Sequence, residues 1–474
     1  MTNAQVSTKQ KTFDPVIPAA VFLPFCLVTT LFALWGFAND VTNPLVRAFK
    51  EIFLISNQQS SLVQTAFYGG YATMAIPAAI FIRRYSYKAG ILVGLGLYAC
   101  GALLFIPASL LMNFWVFLIA LYVLTFGLAF LETTANPYIL AMGPESTATR
   151  RLNFAQAFNP IGSLIGMLVA SNIVLASLNV TEFRDAQMKA HPEYKQMLPG
   201  QVDAEINAAL RDLQQTNPVE HRAMQLEDLR TIRGPYVTIA MVILGMFVVF
   251  AVTRLPKAGG DDRHIHLMVT LGRLLRNGRY VGGVVAQAFY VGAQIMCWTF
   301  IIHYAMSNLG MSLPEAQQYN IVAMIIFCSS RFICTYMLKY VSPGGLLMTL
   351  ALGGIGLTAG AIFIPGMAGL YCLIGISACM SLMFPTIYGI ALDGLGEDAK
   401  LGSAGLIFAI VGGALMPPLQ GSIIDMGDSA GNVSLGLLTL PAVSASFFLP
   451  LVCFVVIALY GYGTHRARRA VDFV

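Results

Sequence analysis

Residues 114–142 read FWVFLIALYVLTFGLAFLETTANPYILAM, an apolar run with a single charged side chain, Glu132, inside it. A bilayer-spanning helix needs about 20 mostly apolar residues. A carboxylate deep in such a helix costs roughly 2.5–3.5 kcal/mol on insertion scales, so it is expected to face a cavity or a partner. The stretch therefore reads as a transmembrane helix that carries a functional group. The rest of the chain agrees. Of its 474 residues, 57% are hydrophobic and 11% charged, against about 25% charged in soluble domains. The chain reads as an integral membrane protein, with the lipid bilayer as its first partner. Its formal net charge of +5 comes from bases in short loops, so no nucleic-acid partner is expected.

Further runs of similar length bring the expected spans to 18–46, 58–82, 88–110, 114–142, 152–178, 235–256, 279–307, 314–339, 343–364, 366–393, 401–426 and 436–461. The expected fold class is all-α, with twelve transmembrane helices in two six-helix halves. Residues 1–17 form an N-terminal tail, 18–256 the first half, 257–278 a linker, 279–461 the second half and 462–474 a C-terminal tail. Lys and Arg cluster in short loops at Arg83, Arg84, Lys88, Arg150, Arg151, Arg273, Arg276, Arg279, Lys400 and Arg466. Basic loops stay cytoplasmic, which places the linker and both termini inside and the long loop 179–234 outside. That loop is expected to be a solvated, partly helical insertion. Residues 1–15 are polar, so no cleaved leader is expected.

Three polar sets interrupt the apolar helices. Glu132 and Asn136 lie four residues apart and share a face, as do Asp40 and Asn43 at three apart. Pro44 and Pro137 lack the N–H that would bond the carbonyls of Asp40 and Thr133. Asn153, Gln156 and Asn159 form a stripe at three-residue steps, and Gln287, Tyr290, Gln294 and Trp298 another at steps of three and four. Amides donate and accept at once, as sugar hydroxyls do, and aromatic faces suit the C–H faces of a hexose. Packing between helices is the plainer reading of each set. For Arg331, His303 and Asp425, structural or gating roles are expected.

The eight Cys all lie in apolar runs without metal-ligand spacing. The sequence also lacks a phosphate-binding P-loop, a zinc-protease motif and a nucleophile elbow. No cofactor, no enzyme activity and no firm metal site are expected. Two classes remain: a cation-coupled sugar symporter, or a non-transporting membrane sugar sensor, for which the tails are too short to hold a signalling domain.

Six plus six spans about a basic linker is the layout of the major facilitator superfamily. In that layout the site lies at the midplane, between the halves. The motifs Leu34-Trp35-Gly36-Phe37-Ala38-Asn39, Gln64-Thr65-Ala66-Phe67-Tyr68-Gly69-Gly70-Tyr71, Leu131-Glu132-Thr133-Thr134-Ala135-Asn136-Pro137, Arg151-Leu152-Asn153-Phe154-Ala155-Gln156-Ala157-Phe158-Asn159 and Phe384-Pro385-Thr386-Ile387 make the chain resemble the L-fucose:proton symporters of that superfamily. The resemblance implies uptake of L-fucose or a related hexose across a bacterial inner membrane, with H⁺ as the coupling ion; the protein is expected to be a monomer. It places the family's span-4 glutamate at Glu132 and its span-5 glutamine and asparagine at Gln156 and Asn159. The family's span-1 aspartate falls on Asn43, which cannot titrate. Either Asp40, one turn earlier, takes over coupling, or Asn43 marks a different ion. For Na⁺ coupling of glucose, galactose or mannose, Asp40, Asn43 and Asn136 would supply hard oxygen ligands.

Overall fold

The structure, a computed structural model, describes residues 14–42, 45–55, 57–196, 199–256, 267–311, 313–427, 432–435 and 438–472. Asn43 and Pro44 lie outside the described residues, as do linker residues 257–266.

Among the described residues, twelve helices are long and apolar enough to cross a membrane. Spans 1 to 6 are Ala19–Thr42, Thr65–Arg84, Tyr87–Leu111, Phe114–Ala141, Glu145–Ser177 and Pro218–Val252. Spans 7 to 12 are Gly278–Leu309, Glu315–Met337, Pro343–Phe363, Met367–Leu392, Gly396–Asp425 and Ala442–Ala467. Several starts differ from the sequence pattern, three of them for a plain local reason. Span 5 begins at Glu145 because a short 3₁₀ turn, Glu145–Thr147, leads straight into the helix. The helix of span 6 begins at Pro218, since the Asn217 side chain accepts from the Glu220 amide and caps it. Span 12 begins at Ala442, because the short strands Asn432–Leu435 and Leu438–Pro441 pair antiparallel and the second ends at Pro441.

Within the first half, span 4 packs on spans 2 and 3, span 3 on span 6, and span 1 on span 5. In the second half, span 7 packs on spans 11 and 12, span 9 on spans 10 and 12, and span 8 on span 10. Glycine sets two of these contacts at corresponding places. A Cβ at Gly162 of span 5 would sit 1.9 Å from the Ala33 carbonyl oxygen of span 1, and one at Gly412 of span 11 would sit 2.1 Å from the Ala288 oxygen of span 7. Only a residue without Cβ lets the backbones come so close, which is how membrane helices gain packing without a hydrophobic drive.

Across the halves, span 2 meets span 11 and span 5 meets spans 8 and 10. The basic face is tied shut. Arg273, on the short helix Leu267–Arg276, forks onto Asp398 with both hydrogen bonds at 2.8 Å, and Arg83 lies 3.7 Å from the same carboxylate. The Gly394 amide donates to Glu145 Oε1 at 3.2 Å, and Asn153 Nδ2 donates to Thr386 Oγ1 at 3.1 Å.

The insertion before span 6 is helical: Asn179–Ala190, Pro199–Thr216, then the start of the span 6 helix itself. Asp228 accepts from the Asn179 and Val180 amides at 2.6 and 3.0 Å, capping the first of these helices. Val202, Ile206 and Leu210 pack against Phe183 and Met224 in a small apolar core. Arg184 pairs with Glu51 at 2.9 Å and Gln225 donates to the Ile52 carbonyl at 3.0 Å. The insertion is thus fastened to the helix Leu45–Phe53 that follows span 1.

Candidate functional site

A cavity of about 840 Å³, measured out to its open mouth, lies between the halves. Spans 1, 2, 4 and 5 contribute Trp35, Asp40, Tyr68, Tyr71, Glu132, Gln156 and Asn159; spans 7, 8 and 10 contribute Tyr290, Gln294, Trp298, Phe327, Arg331 and Phe384. The ties across the basic face lie beneath it.

Glu132 is nearly buried and its carboxyl accepts a hydrogen bond from the Tyr71 hydroxyl. Among the described residues, no basic side chain lies within ion-pairing distance of it. A bare carboxylate in low dielectric is costly, so this group has a physical reason to exchange a proton.

Span 5 breaks beside the cavity. One helix runs Ala148–Gln156 and the next starts at Asn159, with Pro160 at its head. Gln156 Nε2 donates to Asn136 Oδ1 at 2.8 Å, and Asn136 Nδ2 returns to the Glu132 carbonyl at 3.0 Å. This chain orients the Gln156 side-chain amide and leaves its Oε1 without a protein partner among the described residues. Asn159 Nδ2 donates to the Phe32 carbonyl at 3.1 Å. The Gln294 amide has no protein partner among the described residues and lines the wall opposite. Trp298 Nε1 donates to Ser377 Oγ at 3.3 Å, and its ring stands edge-on to Phe327 with centroids 4.9 Å apart. Oriented amides and fixed aromatic walls can take a neutral, hydroxyl-rich ring.

Of the residues singled out from sequence, the structure brings Asp40, Glu132, Gln156, Asn159, Tyr290, Gln294 and Trp298 to one cavity. Three others do not line it. Asn136 is fully buried behind Glu132 and supports Gln156. Asn153 is buried in the tie to Thr386 beneath the cavity. Gln287 is fully buried, and neither polar atom of its amide has a partner among the described residues. Each shares a helical face with lining residues but sits one turn too deep. His303 is exposed and, among the described residues, bonds the carbonyl of Thr299 in its own helix; Asp425 ends span 11.

Sequence reasoning missed Trp35, Tyr68, Tyr71, Phe327 and Phe384. Aromatics recur throughout an apolar chain, so only contact distinguishes these. It also missed what Arg331 bonds. The signal was available: Pro160 and Pro385 each free a carbonyl by the same rule as Pro137.

Two helical bundles around a central cavity that is closed on one face define a membrane transporter of the alternating-access build. Residues 26–182 match the Major Facilitator Superfamily model. The chain is 52% identical over 448 residues to the L-fucose-proton symporter of Haemophilus influenzae, covering 94% of this chain and 97% of the relative. It is 33% identical to the L-fucose-proton symporter of Escherichia coli, covering 92% of each. The crystal structure of the fucose transporter FucP in the outward conformation superposes with a TM-score of 0.78 at 32% identity, over 94% of this chain and 99% of that one. The chain belongs to the L-fucose-proton symporter family of the major facilitator superfamily.

Proposed function

We propose that this protein imports L-fucose together with a proton across a bacterial inner membrane, with its basic face and both termini in the cytoplasm. The observation that carries this is the Glu132 carboxyl, without a basic partner among the described residues, one turn from the amide system of Asn136 and Gln156. Proton and sugar thus bind within reach of one another. The sugar enters from the open mouth, and its hydroxyls bond Gln156, Asn159 and Gln294. Its apolar face lies on Trp298 or Phe384. Proton loss from Glu132 after the basic face opens releases both toward the cytoplasm. Asn136 and Asn153 act behind and beneath the cavity rather than on the sugar. The identity to two L-fucose-proton symporters supports the sugar and the ion. A glucose/galactose transporter of Brucella abortus is 28% identical over 92% of this chain, which makes those hexoses the natural competitors.

One experiment tests sugar and ion together: uptake of labelled L-fucose into membrane vesicles, with unlabelled fucose, glucose, galactose and mannose as competitors. Competition by fucose, with uptake indifferent to sodium and abolished by a protonophore, is expected. Failure to take up labelled L-fucose, or stronger competition by glucose or galactose than by fucose itself, rejects the sugar. Uptake that rises steeply with external sodium and survives the protonophore rejects the proton.

A further inference from the structure

We propose that Arg331 sets when the two halves part at the basic face, by bonding two main-chain carbonyls that prolines leave free, one in each half. In a continuous helix the N–H four residues on would take each carbonyl, and proline has none. Pro160 leaves the Gln156 carbonyl of span 5 open, and Pro385 leaves the Ser381 carbonyl of span 10 open. Arg331 Nη1 donates to Gln156 O at 3.0 Å, and its Nε donates to Ser381 O at 2.5 Å. Both helix breaks are thus satisfied by a single guanidinium from span 8.

The two bonds differ in what motion does to them. Spans 8 and 10 pack together in one half, so the Ser381 bond travels with Arg331. Gln156 belongs to the other half, and its bond must break when the basic face opens. Arg331 is 3% exposed, and among the described residues no carboxylate pairs with it; its remaining support is the Phe327 ring, 4.6 Å from the guanidinium carbon. A buried charge that loses a hydrogen-bond partner is heavily penalised. The closed state is therefore favoured until water or substrate rearrangement relieves Arg331. Gln156 also lines the cavity with its side chain, so the latch and the cavity wall share one residue. Arg331 is a positioning residue for Gln156 and a latch between the halves. The inference rests on alternating access but on no particular sugar or ion.

The test is conformational and uses no sugar. Spin-label amino acids are introduced genetically in place of Tyr85 and Tyr340, which are 58% and 64% exposed in basic-face loops of opposite halves. Distances are then measured by pulsed electron resonance in the full-length protein, with its eight native cysteines left in place. Arg331→Gln is expected to raise the long-distance, basic-face-open fraction about tenfold or more, the effect of losing a charge-assisted hydrogen bond. Pro160→Ala restores an N–H that competes for Gln156 O, and it is expected to raise the same fraction with Arg331 intact. If Pro160→Ala leaves the distances unchanged, the latch is overturned, whatever Arg331→Gln does. A response to Arg331→Gln alone would mean that the arginine only holds span 8 to span 10. Should Arg331→Gln fail to fold, the proline variant still decides.

Discussion

Replacing Glu132 with Gln removes one titratable group while keeping its shape. The Tyr71 hydroxyl still has an oxygen to donate to, and the Asn136 bond to the main chain at residue 132 is untouched. The cavity lining holds two acids, Glu132 and Asp40, and only Glu132 lies beside the Gln156 amide system. If Glu132 carries the proton, each sugar moves with one charge. One charge moved through 100 mV gains about 2.3 kcal/mol, and 1.4 kcal/mol is tenfold, so a 100 mV potential supports roughly 40-fold accumulation. Glu132→Gln should lower that ratio to about 1. Counterflow of labelled sugar against unlabelled sugar should continue, because exchange needs no net proton movement. The melting temperature should hold or rise, since a buried ionisable group has been replaced by a neutral one. Accumulation and counterflow are measured in the same vesicles. Wild-type accumulation by Glu132→Gln would refute the reasoning outright. Loss of counterflow together with accumulation would make Glu132 a sugar ligand rather than the coupling group.

Further outcomes follow from the same geometry. Gln156→Ala and Asn159→Ala should each weaken sugar binding about tenfold or more, the worth of a hydrogen bond to a buried partner; titration calorimetry reads this directly, and unchanged affinity in both would remove the amides from the site. Asn136→Ala should weaken binding as well, although Asn136 touches no cavity surface, because the Gln156 amide loses its 2.8 Å anchor. Asp40→Asn, at the cavity edge, should reduce accumulation, and full accumulation by this variant would exclude Asp40 from coupling. Gly162→Val places a Cβ where the Ala33 oxygen stands 1.9 Å away, so spans 1 and 5 must separate; a stability loss of about 1–3 kcal/mol is expected for such overpacking, read as a lower melting temperature in detergent.

Span number and helical class were legible because each apolar run is independent of its neighbours and of nearly constant length. Helix starts were less so, because caps such as Asn217 and the turn at Glu145 are local features that hydropathy does not see. The polar faces read well where a residue's depth matched the cavity: Glu132, Gln156, Asn159, Gln294 and Trp298 all reach it. Periodicity gives the face but not the depth, which is why Asn136, Asn153 and Gln287 fell on the correct stripe and outside the cavity. The contribution of Tyr71 depends on spans 2 and 4 lying side by side, and that of Arg331 on span 8 crossing to span 5. Such contacts join residues far apart in sequence, so no window along the chain contains them.

The helix that begins at Pro218 runs unbroken to Val252. Its 35 residues at 1.5 Å each make it roughly 50 Å long, while the hydrocarbon layer it crosses is about 30 Å thick. About 20 Å therefore stands beyond the lipid as a mast, stayed by Asp228 and Gln225 to the helices around its foot. Small transporters offer electron microscopy little mass outside the detergent belt. Here an antibody fragment or a fused helical protein gripping the mast would report the orientation of the first half, because the bonds of Asp228 and Gln225 brace the helix below Pro235. The second half could then be watched swinging against it.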